Sequence, residues 1–391
     1  MIELNKNELE FFNEFKALKE KSGSHSPSIL SLMNKIKGSK GINVDACFLS
    51  NPYATELFIE FFENELVSTK KLHHIIEAYP PQNREIAHYL SKSIKVPEEN
   101  IFIGNGAIEI IQAIIHNFVK GKIVVNIPTF SSYYEYVKNK ENIVFYNLKK
   151  ENNYCLDVEN YIEFIKKEQP DSIVLINPNN PNGDYLNKDE IYHVLSELSF
   201  VNNIILDESF IHFAYENLDL SMIDSYKLLT QFPNLCIVKS MAKDFGIAGI
   251  RAGYGIMNKE KIDELLDTGY LWNVSGLTDY FFKLYSREDF QKRYDIVRKK
   301  YIMNTLMFLN ELNRIPGIKV YPSRANFALV ELVDGTSSKE MMIKLLYSHG
   351  VYVRECSDKI GLQGQFLRIA SRSFEENIVI LDALKSIYGK G

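Results

Sequence analysis

The chain has 391 residues, 46% hydrophobic and 24% charged, enough for two domains with full cores or one large α/β unit with an appendage. A formal net charge of −5 with no basic tract argues against nucleic acid as a partner. The four cysteines, Cys47, Cys155, Cys236 and Cys356, are scattered without a Cys-x-x-Cys pair, so neither a zinc site nor a disulfide framework is suggested and a reduced, cytoplasmic setting fits.

In chain order, "MIELNKNELEFFNEFKALKEK" alternates charge with Leu9, Phe12 and Phe15 and predicts an amphipathic helix. It lacks the apolar run of a signal peptide, and no segment reaches the roughly 18 apolar residues of a membrane span. From about residue 98 one rhythm repeats: a short β-branched run, a polar turn, a helical pattern. "NIFIGNGAIEIIQAIIHNF" opens it, with Ile101–Ile103 as strand, Gly104-Asn105-Gly106 as turn, and Ile108, Ile111 and Ile115 as a buried helical face. "KIVVNIPTF", "DSIVLINPNNPNG", "NNIILDESF", "NLCIVKSMAK" and "RAGYGIM" are further strands. Apolar strands with helices between them imply a mostly parallel sheet covered on both faces. After Trp272 the pattern changes to one long helix ending at Pro316-Gly317, then short strands, a helix at 337–348 and a last helix from Glu375. The expected division is an N-terminal helical arm (1–45), a large domain (46–280) and a small C-terminal α+β domain (281–391).

Open α/β sheets bind ligands beyond the carboxyl ends of their strands. The residues there are Gly104–Glu109, Pro128–Phe130, Asn180, Asp207, Ser240–Lys243 and Arg251. One carboxylate, one lysine, one arginine, an amide, an aromatic ring and a Gly-rich turn into a helix call for a ligand that is anionic at one end, aromatic in the middle and electrophilic somewhere. Asp244-Phe245-Gly246 matches a protein-kinase triplet, but the glycine loop, strand lysine and His-Arg-Asp loop that must precede it are missing. Pyridoxal phosphate meets every demand. Its phosphate would rest on the N–H groups of Gly106, Ala107 and Ile108, with Ser240 and Arg251 adding bonds. Phe130 would stack on the ring, Asp207 face the pyridine nitrogen, Asn180 donate to the ring 3-oxygen, and Lys243 carry the cofactor covalently and then move protons.

Each residue has a plainer reading. Lys243 is otherwise a loop lysine, Asp207 a helix N-cap, Phe130 a core ring and Asn180 a turn residue. Their joint spacing favours the site. His25, His73, His74, His88 and His212 show no metal-ligand spacing; His73 and His74, adjacent on a predicted helix, are expected to face different ways, and no metal is expected.

The run "NPNNPNG…ILDESF…SMAKDFGIAGIRAGY" resembles fold-type I pyridoxal-phosphate enzymes of the class I/II aminotransferase family, in the branch of histidinol-phosphate aminotransferase and threonine-phosphate decarboxylase. The similarity runs from "NPYA" at 51–54 to the C-terminus. It implies an aspartate-aminotransferase-like α/β fold and a homodimer with sites at the interface, where Tyr79 reaches the neighbour's cofactor phosphate. It also implies that Arg368 and Arg354 clamp a small doubly anionic substrate, with Arg372 and Arg324 nearby. "YPSRANF", "VREC…GL", "LRIASRS…EN" and Phe210 in "DESF" look more like the decarboxylase. Ala242, where many relatives have Ser, and His212, where the decarboxylase has Asp, depart from the pattern. The expectation is decarboxylation of a phosphoserine- or phosphothreonine-type substrate. The alternative is an aminotransferase using glutamate and a phosphorylated carbonyl acceptor; a non-catalytic cofactor-binding domain comes last.

Overall fold

The computed structural model describes residues 3–23, 25–35, 41–216, 219–220 and 225–389. Its centre is a seven-stranded sheet in the order Ile101–Asn105, Ala252–Ile256, Leu235–Ser240, Asn203–Asp207, Ser172–Ile176, Ile123–Ile127, Ile143–Asn147. Only Ala252–Ile256 runs antiparallel to its neighbours. Runs such as Ile123–Ile127 are buried along their whole length, because helices cover both faces. Helix Ala107–Phe118 turns Ile110, Ile111, Ile114 and Ile115 to the sheet. Ile108, expected on that buried face, instead lines a cavity at the helix's first turn.

The second sheet has five strands, in the order Val44–Ala46, Val351–Glu355, Phe366–Ala370, Phe327–Leu332, Ile318–Val320. The expected long helix is present at Glu288–Leu312, ending before Pro316-Gly317. The expected boundary at residue 45 falls inside strand Val44–Ala46. Val44–Ala46 pairs in parallel with Val351–Val353, and helix Lys6–Lys21 packs on the same unit. Phe11 meets Tyr347 at 5.5 Å and Phe15 meets Tyr352 at 6.3 Å between ring centroids. The buried Glu8 carboxylate takes Lys344 at 2.8 Å and the Ser348 hydroxyl at 2.6 Å. An isolated 16-residue helix is marginal in water, and burying two phenylalanines, at roughly 1.5–3 kcal/mol each, favours docking. The arm is therefore part of the C-terminal unit.

His73 and His74 also differ from expectation. Their ring nitrogens and a Glu77 carboxylate oxygen lie within 4.8 Å of one another, all exposed. No helix among the described residues is long and apolar enough to cross a membrane.

Candidate active site

A cavity of about 400 Å³ opens at the carboxyl ends of the large sheet, beneath the small domain. Ala107, Ile108, Phe130, Asn180, Asp207, Ser240, Lys243, Arg251, Arg354 and Arg368, ten of the residues expected at the site, line it. A larger hollow of about 680 Å³ around Gly183, Asp184 and Arg324 gathers none of this chemistry.

Lys243 follows strand Leu235–Ser240, where the chain must turn sharply. Two bonds hold that turn: Asn51 N–H donates to the Lys243 carbonyl at 3.0 Å, and the Thr55 hydroxyl to the Gly246 carbonyl at 2.9 Å. Gly246 has φ +62°, and a Cβ there would lie 2.0 Å from Thr55 Oγ1, so only glycine fits. Burial, then Arg368 and Arg251, bring the Lys243 amine down to about 8. A substantial fraction is therefore neutral, and nucleophilic, near physiological pH.

Asp207 ends strand Asn203–Asp207 and is buried. It accepts from the Tyr133 hydroxyl and from Ser209 N–H, both at 2.8 Å. Burial raises its carboxyl, so a cation in front of it would be strongly favoured. Opposite lies the N-terminus of helix Ala107–Phe118, whose N-cap Gly106 has φ +75° and ψ 170°. A Cβ on Gly106 would stand 2.7 Å from Arg251 Nη2, and one on Gly253 2.8 Å from Ala107 N. Glycine at both positions leaves an open cradle of backbone N–H groups beside a guanidinium. Arg251 itself has φ +66°, a conformation that persists in a non-glycine residue only where its surroundings impose it. Ser240 Oγ accepts from Ala242 N–H at 3.3 Å and retains its own proton to donate.

At the other end, Arg368 Nη1 donates to Asn180 Oδ1 and Nη2 to the Cys47 carbonyl, both at 2.7 Å. Its Nε is buried without a hydrogen-bond partner. Arg354 stands opposite Arg368 in strand register, and its Nη2 donates to both Asp358 oxygens, at 2.8 and 2.7 Å. Asp358 is also held by Lys19 at 2.9 Å.

Three expected residues lie elsewhere. Arg372 bonds Ser50 Oγ at 3.0 Å and Glu376 at 3.3 Å, away from the cavity lining. Arg324 is exposed in the larger hollow. Tyr79 is 85% exposed, its ring 5.8 Å from that of Trp272.

Sequence reasoning did not place Tyr133, Lys359, His25, Ser26 or Cys47 at the site. The last four line the cavity, and His25 places its ring 5.9 Å from Phe130. Lys359 falls between the two ends of "VREC…GL", and the other three come from segments with no site motif, so only chain folding places them at the cavity.

The donor set fits pyridoxal phosphate: an open N–H cradle with an arginine for a phosphate, a buried carboxylate for a ring nitrogen, an aromatic wall and a depressed lysine. The family model for aminotransferase class I and II matches residues 51–384. The chain belongs to that family. It is an α/β enzyme, and relatives carry the likeness from end to end. An L-serine phosphate decarboxylase of Campylobacter jejuni is 53% identical over 388 residues, covering 99% of both chains. An L-serine phosphate decarboxylase of Sulfurospirillum multivorans is 46% identical over 384 residues, 98% of both. A histidinol-phosphate aminotransferase of Methanococcus aeolicus is 32% identical, over 80% of this chain and 82% of its own. The solved structure of a decarboxylase from Sulfurospirillum multivorans superposes with a TM-score of 0.93 at 45% identity, covering 98% of each chain.

Proposed function

We propose that the chain is a pyridoxal-phosphate-dependent decarboxylase of a small phosphorylated amino acid, with L-serine phosphate as the substrate and CO2 and ethanolamine phosphate as products. End-to-end likeness to L-serine phosphate decarboxylases carries this reading. The cavity agrees with it, since cations stand at both its cofactor and substrate ends.

The cofactor, when bound, supplies a conjugated ring that takes up the electron pair left at Cα. Gly106, Ala107, Ile108, Ser240 and Arg251 would hold its phosphate, Phe130 its face, Asp207 its ring nitrogen and Lys243 its carbonyl carbon. Asn180, already accepting from Arg368, has its amide N–H groups left to donate to the ring 3-oxygen. Phe210 lines the cavity where a phenol would compete for that oxygen.

Arg368 orients the substrate carboxylate. Decarboxylation requires Arg368, fixed by Asn180 and the Cys47 carbonyl, to hold the carboxylate so that its bond to Cα is the one that breaks. The Lys243 ammonium then delivers a proton to Cα, balancing the loss of CO2. A carboxylate held otherwise by Arg368 would leave the Cα proton to be removed instead, which is the transamination alternative.

Two further features belong to this reading. Tyr79, exposed beside Trp272 and Ile76, suits a homodimer in which it reaches the partner's cofactor phosphate. A reduced, cytoplasmic location suits four free cysteines.

Phosphorus NMR of the holoenzyme with L-serine phosphate and no keto acid tests the reaction. Catalytic appearance of ethanolamine phosphate is expected. No change there, with an amine phosphate and 2-oxoglutarate formed from glutamate plus dihydroxyacetone phosphate, would make it an aminotransferase.

A further inference from the structure

Five cations line the cavity: Lys243, Arg251, Arg354, Lys359 and Arg368. Arg251 stands at the N–H cradle and Lys243 at the covalent position. Arg368, with a bare Nε, suits a carboxylate. The choice for a second substrate anion lies between Arg354 and Lys359. Arg354 is already matched by Asp358, which grips it with both oxygens. Lys359 has no such match. It is buried, its ammonium donates one bond, to the Thr129 carbonyl at 3.3 Å, and no carboxylate among the described residues lies within ion-pair distance. Cys356 nearby stays a neutral thiol, since burial lifts it to about 11.

A buried ammonium with spare donors and no carboxylate in ion-pair range among the described residues is costly unless a ligand supplies the charge. Gly361, at φ +93°, presses this turn against Ile127 and Pro128, with a Cβ there only 3.1 Å from either backbone. That contact carries Lys359 from the small domain to the edge of the large one. Ser26 and His25 of the N-terminal arm complete the wall. Burial and Arg354 bring the Lys359 amine to about 8, as expected of a cation awaiting an anion.

We infer that Lys359 is the specificity-determining residue that receives the substrate's phosphate monoester, while Arg354, neutralised by Asp358, shapes the wall beside it. This rests on the proposed reaction for its substrate, but phosphate recognition is measurable without turnover. The probe is O-phosphoethanolamine, titrated calorimetrically into cofactor-loaded wild type, Lys359→Gln, Lys359→Met and Lys359→Arg. Loss of a charge-assisted bond to a dianion is expected to raise Kd threefold or more, with about tenfold the central value, in the Gln and Met variants. Lys359→Arg should recover part of the loss, and all variants should keep the wild-type cofactor absorbance. With L-serine phosphate the deficit should fall on KM more than on kcat. A change below about threefold in both neutral variants, or a wild type that does not bind O-phosphoethanolamine, overturns the assignment. Binding by wild type that weakens in the variants, without ethanolamine phosphate being formed by wild type, would instead overturn the reaction and keep the phosphate site.

Discussion

Arg368 of the small domain and Asn180 of the large domain are joined by a 2.7 Å hydrogen bond at the floor of the cavity. One side chain would bind substrate and the other cofactor, so the bond couples the two. It also sets the plane of the guanidinium, which in turn governs the angle of a bound carboxylate.

Asn180→Ala should therefore affect more than cofactor hold. Removing one charge-assisted bond is worth about 1.5–3 kcal/mol, so a roughly tenfold or larger fall in kcat/KM for L-serine phosphate is expected. Relaxed carboxylate orientation should also raise the share of abortive transamination, seen as accumulation of the amine form of the cofactor in the visible spectrum. Wild-type partitioning in Asn180→Ala would show that Arg368 is oriented by Cys47 alone.

Gly106→Ala introduces a Cβ 2.7 Å from Arg251 Nη2 at a φ and ψ that essentially only glycine adopts. A cost of about 1–3 kcal/mol to the local fold is expected, with weaker retention of pyridoxal phosphate in equilibrium dialysis. Gly249→Ala, whose Cβ meets nothing within 4 Å, is the control and should retain cofactor normally. Equal retention by both variants would remove Gly106 from the phosphate cradle.

Asp244 belongs to the triplet that mimics a kinase motif, and its role is structural. It forms a fully buried ion pair with Lys239, and lies 3.4 Å from His212 Nδ1. Asp244→Ala leaves the Lys239 ammonium buried and unpaired, at an expected cost of about 3–5 kcal/mol in chemical denaturation. The double variant Asp244→Ala/Lys239→Met should regain part of that loss. Additive losses would show that the pair's charges do not interact.

Lys243 yields a pH dependence. Its amine stands at about 8 in the fold against 10.5 for an ordinary lysine, so folding disfavours its charged form. Between those values the unfolded chain binds more protons, and this group's penalty is fully present below about 8 and vanishes as pH rises to 10.5. Reconstitution of apoenzyme needs the neutral amine, so its rate should climb from pH 6 and level off above about 8. Lys243→Ala should lose the covalent cofactor absorbance at every pH. A flat pH profile would place the lysine's titration elsewhere.

The strands and their order of chemistry were legible because a buried parallel sheet demands unbroken β-branched runs, and each run is followed by its functional residue. Lys243, Arg251 eight residues on, Asp207 and Asn180 all follow such runs, so local sequence sufficed to propose them as cofactor residues. The N-terminal arm was read correctly as an amphipathic helix but with part of its face misassigned: Leu9 is 48% exposed while Phe11 is buried. Periodicity gives a stripe, and the partner surface decides which edge of that stripe is covered.

The substrate end was legible only in outline. The family resemblance favoured Arg368 and Arg354 over Arg372 and Arg324; Arg368 and Arg354 line the cavity and the other two do not. It did not separate Arg354, whose charge Asp358 neutralises, from Lys359, which has no carboxylate in range among the described residues. The sequence by itself determined the fold family and which residues line the cavity at the strand ends, because those residues sit at fixed offsets from local elements. Only the tertiary structure decided which cations stay unmatched, because ion pairing and burial depend on segments more than 100 residues apart, such as Thr129 and Lys359, meeting at one cavity wall.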